Sequence, residues 1–264
     1  MSSDNDDFYV GYLPTPPRLV RWYSVLVPLL IAAAGGFGFW LAGSQQAVGE
    51  GAWAFGDTST IEGTLNARPY PHVVTPSGDS VLLVREGKRG VDAWAEALDG
   101  QSVQVSGFAI ERGTWRMLEI ASADAMVATS TIVAPQSEPL TRHFGENTLR
   151  GEIVDSKCFL GVMKPGNGLV HRACAELCVR GGMPPMLIAE SASGERAGYL
   201  LVTPDGGSAK TLVAGKVGVP ITVSGSVTAV GTLRYLSVTA ATITLQTVAA
   251  TSSPDWCRLP ASDG

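Results

Sequence analysis

Residues 103–120, VQVSGFAIERGTWRMLEI, and residues 221–238, ITVSGSVTAVGTLRYLSV, align with each other without a gap. Each carries V-S-G followed by G-T-x-R-x-L, so Gly107, Gly113 and Leu118 match Gly225, Gly231 and Leu236 at a constant spacing of 118 residues. Leu82-Leu83-Val84 falls on Leu200-Leu201-Val202 at that same spacing. Self-similarity at a fixed period marks a repeated structural unit. Within each copy apolar and polar residues alternate, which is the period of a half-buried strand. The chain therefore holds two copies of one β-unit.

The first copy reads as strands over Thr60–Ala67, near His72–Thr75, over Ser80–Arg85, Ser102–Ile110 and Thr114–Ile120, with a short helix over Asp92–Leu98 and a turn at Gly113. Five strands with a helix between the third and fourth is the order of an OB-type Greek-key barrel, with an open sandwich carrying the same hairpin as the alternative. Thirty-one glycines and sixteen prolines among 264 residues, with 16% charged, also point to short strands and many turns. The predicted fold class is mainly β: an N-terminal transmembrane helix, then two tandem OB-like small β-barrels, the second with a helical Cys/His insertion. The boundaries expected are a first barrel at 60–127 and a second at 148–247, with linkers at 44–59 and 128–147 and a flexible tail at 248–264. A net charge of -5 opposes a nucleic-acid partner, which would demand a basic face.

The copies differ in one place. Gly63 in I-E-G-T-L corresponds to Gly151 in L-R-G-E-I at a spacing of only 88, so about thirty residues have been added between the first and second strands of the second barrel. That insertion, 155–185, reads DSKCFLGVMKPGNGLVHRACAELCVRGGMPP and holds three of the four cysteines and one of the three histidines. Leu169–Arg180 is predicted helical, started by Asn167-Gly168 and stopped by Gly181-Gly182 and Pro184-Pro185. His171, Cys174 and Cys178 then stand at i, i+3 and i+7 on one face. Cys158 ends the preceding strand, and the Lys164-Pro165-Gly166 turn can bring it back to the helix. The set Cys158, His171, Cys174, Cys178 suits zinc best, in a closed structural site. Copper is an alternative, with Met163, Met183 and Met186 as soft donors nearby, and so is iron, although neither Rieske nor c-type haem spacing is present.

Disulfides instead of a metal are the competing chemistry for an exported chain. Cys158 would bridge to Cys174 or Cys178, and the cysteine left over would need Cys257 in the tail. A bridge between Cys174 and Cys178 is disfavoured, because one helical turn holds their bonds nearly parallel. His72 and His143 have no ligand-type neighbours in sequence and are read as non-ligands. No G-x-S-x-G, phosphate loop, Rossmann glycine pattern or H-E-x-x-H occurs, so no catalytic activity of its own is expected.

From Trp22 to Gly43 no residue is ionisable, and 22 residues at about 1.5 Å each match a hydrocarbon core of about 30 Å. Residues 22–43 are therefore predicted to span a membrane, with a cleaved signal peptide as the alternative. Arg18 and Arg21 precede the span and no Lys or Arg follows until Arg68, which places leader 1–21 in the cytoplasm and the bulk of the chain outside. In a bacterium this is the inner membrane with a periplasmic domain. The leader, with Tyr9, Tyr12 and a Pro-rich end, is either unstructured or an extended docking strip.

Val154-Asp155-Ser156-Lys157-Cys158, His171-Arg172-Ala173-Cys174-Ala175-Glu176-Leu177-Cys178 and Gly181-Gly182-Met183-Pro184 together resemble a V-D-x-x-C, H-x-x-C-A-x-x-C, G-G-x-P motif of exported or membrane-anchored bacterial proteins. The resemblance implies a bacterial source and a shared site, and carries no activity with it. The function expected is that of an accessory subunit of a larger membrane complex, respiratory or electron-transferring, whose partners are the membrane and the other subunits. The alternative is a stand-alone copper- or zinc-handling or thiol-redox protein.

Overall fold

The computed structural model describes residues 17–44, 51–130, 139–190 and 196–246. The first unit of the chain contains α1, Pro17–Ser44, which is longer than the span read from charge alone. Proline is suited to the first turn of a helix, where its missing N–H is not needed, and the arginines at 18 and 21 do not interrupt it. Pro28 lies inside the helix. Within Pro17–Gly43 an 18-residue window has a mean hydropathy of 2.1 and none of it is buried, so α1 is long and apolar enough to cross a membrane.

The second unit contains both barrels. In the first copy β1 (Ala52–Asn66), β2 (His72–Val74), β3 (Ser80–Arg85), β4 (Ser102–Arg112), β5 (Trp115–Ile120) and β6 (Met126–Ala128) form a sheet of order β1-β2-β3-β5-β4-β6, closed by β1 pairing with β4. A short helix α2, Asp92–Glu96, joins β3 to β4. In the second copy β7 (Thr141–Asp155), β8 (Pro185–Glu190), β9 (Arg196–Val202), β10 (Pro220–Val230), β11 (Leu233–Ser237) and β12 (Ile243–Leu245) repeat the order and the closure. The third and fifth strands of each barrel run parallel, in one register: Leu82 faces Met117 in the first copy and Leu200 faces Tyr235 in the second, each 118 residues on.

The repeated glycines have a physical reason. A Cβ on Gly107 would meet the carbonyl of Glu119, and one on Gly225 would meet that of Ser237, so V-S-G marks where the fourth strand passes closest to the fifth. Gly113 and Gly231, at φ of 55° and 58°, make the hairpin turn that follows, a conformation costly for other residues.

Three boundaries differ from expectation. β1 begins at Ala52 and β7 at Thr141, inside the stretches 44–59 and 128–147 that composition marks as linkers. Their early halves are mostly exposed on both faces and are bent at Phe55-Gly56 and Phe144-Gly145, so no period of two is visible there. The thirty extra residues are also divided. His72 pairs with Leu82 and Met186 with Leu200, so the second strands stand 114 apart; most of the insertion precedes β8 and four residues fall in the β8–β9 hairpin. β6 and β12, three residues each, were too short to announce themselves.

The two barrels are not separate domains. Val81 and Leu83 point into the first barrel with Leu65, Val103 and Leu118, and their counterparts Leu201, Ile153, Ile221 and Leu236 fill the second. Leu82, Val84 and Met117 point outward, into a third core shared with Leu200, Val202 and Tyr235, their own counterparts. The third strand is buried on both faces, which is why it reads as an unbroken apolar run. Polar ties cross the same junction: Tyr70 donates to the carbonyl of Leu201 and accepts from the N–H of Ala209 at 3.0 Å, and Lys210 Nζ lies 2.7 Å from Asp92 Oδ1.

Candidate metal centre

The chain between β7 and β8 first makes a π-helical turn, Cys158–Val162, then reverses through Lys164-Pro165-Gly166 and enters α3, Arg172–Arg180. Gly166 is seated against the backbone of Cys158, where a side chain would collide, and this close approach returns the segment to its starting point. The helix is a turn shorter than the predicted Leu169–Arg180. Gly168, at φ of 81°, breaks the backbone, Leu169 and Val170 are exposed in a turn, and His171 takes the N-cap position. One stripe of α3, Ala175 and Val179, closes the end of the second barrel. The adjacent i, i+4 pair, Cys174 and Cys178, packs with Cys158 in the shared core.

All four predicted donors meet there. The ligand atoms of Cys158, His171 and Cys174 lie within 4.8 Å of one another, as do those of Asp155, Cys158 and Cys178. The cluster can hold a metal ion. Cys158, Cys178 and His171 are buried, while Cys174 is half-buried at the edge. All three of these cysteines are free thiols.

Two further groups complete the site, and sequence analysis missed them as participants. Asp155, fully buried at the end of β7, accepts from the backbone N–H of Cys158 at 2.8 Å, and its Oδ2 lies 3.1 Å from His171 Nε2. It fixes both the turn and the imidazole. Its signal was its place three residues before Cys158. Lys88, from the loop after β3 of the first barrel, sets its Nζ 2.6 Å from Cys174 Sγ and 3.7 Å from Cys178 Sγ. No local pattern could have found it, because it arrives from the other copy.

The electrostatics are uneven across the thiols. A hydrogen bond from Cys158, supported by the Lys88 charge and opposed by burial, lowers the Cys178 pKa to about 7. Cys158 is pushed far up by that same hydrogen bond, then by burial and by the carboxylate of Asp155. The pair is therefore poised as one thiolate and one thiol. The hydrogen bond to Cys174 holds the Lys88 ammonium above its ordinary range.

Next to Cys158, Lys157 is buried and pairs with the buried Glu119 of β5, also donating to the carbonyls of Arg85 and Gly87 at 2.9 Å each. Gly90 N–H donates to Gly181 O at 2.9 Å. The insertion is thus bolted to the first barrel at the site itself. Of the proposed soft donors, Met183 and Met186 are core residues and Met163 is exposed. His72 is buried on β2 with Nδ1 2.8 Å from Tyr70 O, and His143 is exposed on β7 beside Thr228. Cys257 and tail 248–264 lie outside the described residues, as does most of leader 1–21.

No protein-family model, curated protein or solved structure gives a significant match to this chain.

Proposed function

We propose that this chain is a membrane-anchored accessory subunit of a larger membrane complex, carried on the outer face of a bacterial inner membrane, whose Cys3His site binds zinc and makes the paired barrels one rigid docking body. The observation that carries this is the convergence of Cys158, His171, Cys174 and Cys178 beneath Lys88 of the other barrel. Thiolate and imidazole donors in a four-residue set favour zinc, and a closed shell favours a structural role. Three thiolates and a neutral imidazole around a divalent ion leave one surplus negative charge, which the Lys88 ammonium offsets. Asp155 supplies the carboxylate that orients the histidine. The charge asymmetry around α1, Arg18 and Arg21 against none until Arg68, supports an N-in anchor.

The test is elemental analysis with a free-thiol count on the full chain in mild non-ionic detergent, together with the inventory of what co-purifies from its native membrane. One tightly held zinc per chain, lost in His171→Ala or Cys174→Ala, and a stoichiometric companion are expected. A lone chain without metal would refute the proposal.

A second reading rests on the proton asymmetry of Cys158 and Cys178. In it the pair exchanges with a partner disulfide: the Cys178 thiolate attacks, Cys158 gives up its proton, a Cys158–Cys178 bond forms, and the partner leaves as one thiol and one thiolate. A reversible two-electron thiol couple in metal-free protein, or ready exchange with a Cu(I) chelator, would select it over inert zinc.

A further inference from the structure

A cleft of about 460 Å³ opens between the two barrels, lined by none of the four donor residues, and three of its lining residues are arginines: Arg112, Arg196 and Arg234. Among the described residues no carboxylate lines it. Trp115 forms one wall and Phe159 another, with the Arg112 guanidinium held 4.0 Å from the centre of the Phe159 ring. Gly198 keeps the middle open, since a Cβ there would come within 3.0 Å of Trp115 Nε1. The volume is that of a small-molecule site.

Comparison of the two copies singles out one of these arginines. Arg116 and Arg234 are the same arginine of G-T-x-R-x-L. In the first copy it sits across the hairpin from Glu111 and pairs with it, Nε to Oε1 at 3.3 Å. In the second copy the residue across from Arg234 is Ala229. The second copy keeps the cation and lacks its partner, and that cation lines the cleft. Arg196 is tied only loosely to Glu190, at 3.6 Å with both side chains 54% exposed.

We infer that this cleft binds a small planar organic anion, a carboxylate or phosphate ester whose charge is held by the Arg234 guanidinium, with Arg196 beside it, and whose flat apolar part lies against Trp115. Guanidinium groups grip such oxyanions through paired N–H donors, and an aromatic wall favours a flat body. The site is distinct from the thiol cluster, so its failure would leave the metal proposal untouched.

The test is titration calorimetry of the full chain in uncharged detergent with phenyl phosphate, and separately with inorganic phosphate. Saturable binding of phenyl phosphate is expected, weakened by added salt and tighter than that of inorganic phosphate. Arg234→Gln should weaken it about tenfold or more, the loss expected from one charge-assisted contact. Ala229→Glu, which rebuilds the pairing of the first copy without touching the cleft lining, should weaken it similarly. Absence of saturable heat with the wild-type chain, or unchanged affinity in a folded Ala229→Glu protein, would overturn the inference. Equal affinity for phenyl and inorganic phosphate would overturn the assignment of a planar ligand.

Discussion

Replacing Lys157 by Met tests whether the insertion is held by the first barrel. Lys157 and Glu119 are each only 3% exposed, and one carboxylate oxygen of Glu119, Oε2, already has no partner. Lys157→Met would leave a buried carboxylate with no compensating charge and would strip the donor from the carbonyls of Arg85 and Gly87. Removing one partner of a buried ion pair costs about 3–5 kcal/mol, chiefly through the charge left behind. That is a large share of the ~5–15 kcal/mol that holds a typical domain folded. The double variant Lys157→Met/Glu119→Leu removes both charges at similar volume and should recover to within ~1 kcal/mol of wild type. Urea denaturation of the full chain in non-ionic detergent, followed by tryptophan fluorescence, measures both. A single variant that loses less than ~1 kcal/mol, or a double variant no more stable than the single, would refute the electrostatic account of this junction.

In metal-free, reduced protein one cysteine equivalent should titrate to thiolate with a midpoint near 7, read by ultraviolet absorbance, and Cys178→Ser should abolish it. Lys88→Gln should move that midpoint upward, because the ammonium favours the thiolate; an unmoved midpoint would remove Lys88 from the site. Burial pushes the Tyr70 pKa up to about 12. Its phenol therefore stays neutral in the fold while the unfolded chain ionises near 10, so the stability it contributes is intact below about pH 10 and is lost as pH rises toward about 12. Tyr70→Phe should flatten this alkaline loss and destabilise by ~1–3 kcal/mol by orphaning two buried backbone groups, both visible in pH-dependent melts. Gly225→Ala should destabilise by ~1–3 kcal/mol through collision with Ser237 O, measured by the same melts.

Much of this was legible because the duplication turned one ambiguous β pattern into two that agree. Leu118 and Leu236, or Gly113 and Gly231, announce a hairpin more firmly together than either does alone. His171, Cys174 and Cys178 could be placed on one face because helical spacing is local. What escaped was non-local. Lys88 stands 86 residues from Cys174, and nothing in its own neighbourhood distinguishes it from a solvated lysine. The shared core was half-visible in L-L-V, a run apolar on both faces, but an alternating pattern does not say what covers the outer one. The early halves of β1 and β7 escaped because exposure on both faces erases the period that identifies a strand, although the repeated Phe-Gly at 55–56 and 144–145 was there to be found.

A surface matched to its own duplicate is what two identical single barrels would use to associate. Leu82 and Val84 share one core with their counterparts Leu200 and Val202, and Asp92 pairs with its own counterpart, Lys210, each 118 residues on. In a symmetric assembly of identical chains any segment added after the first strand would appear twice, and the lysine and its thiols could not be assigned to different halves. Joining the copies in one chain removed that constraint. One half can carry the cysteines while the other carries the lysine that pairs with them, although the third and fifth strands of the two halves keep the same register.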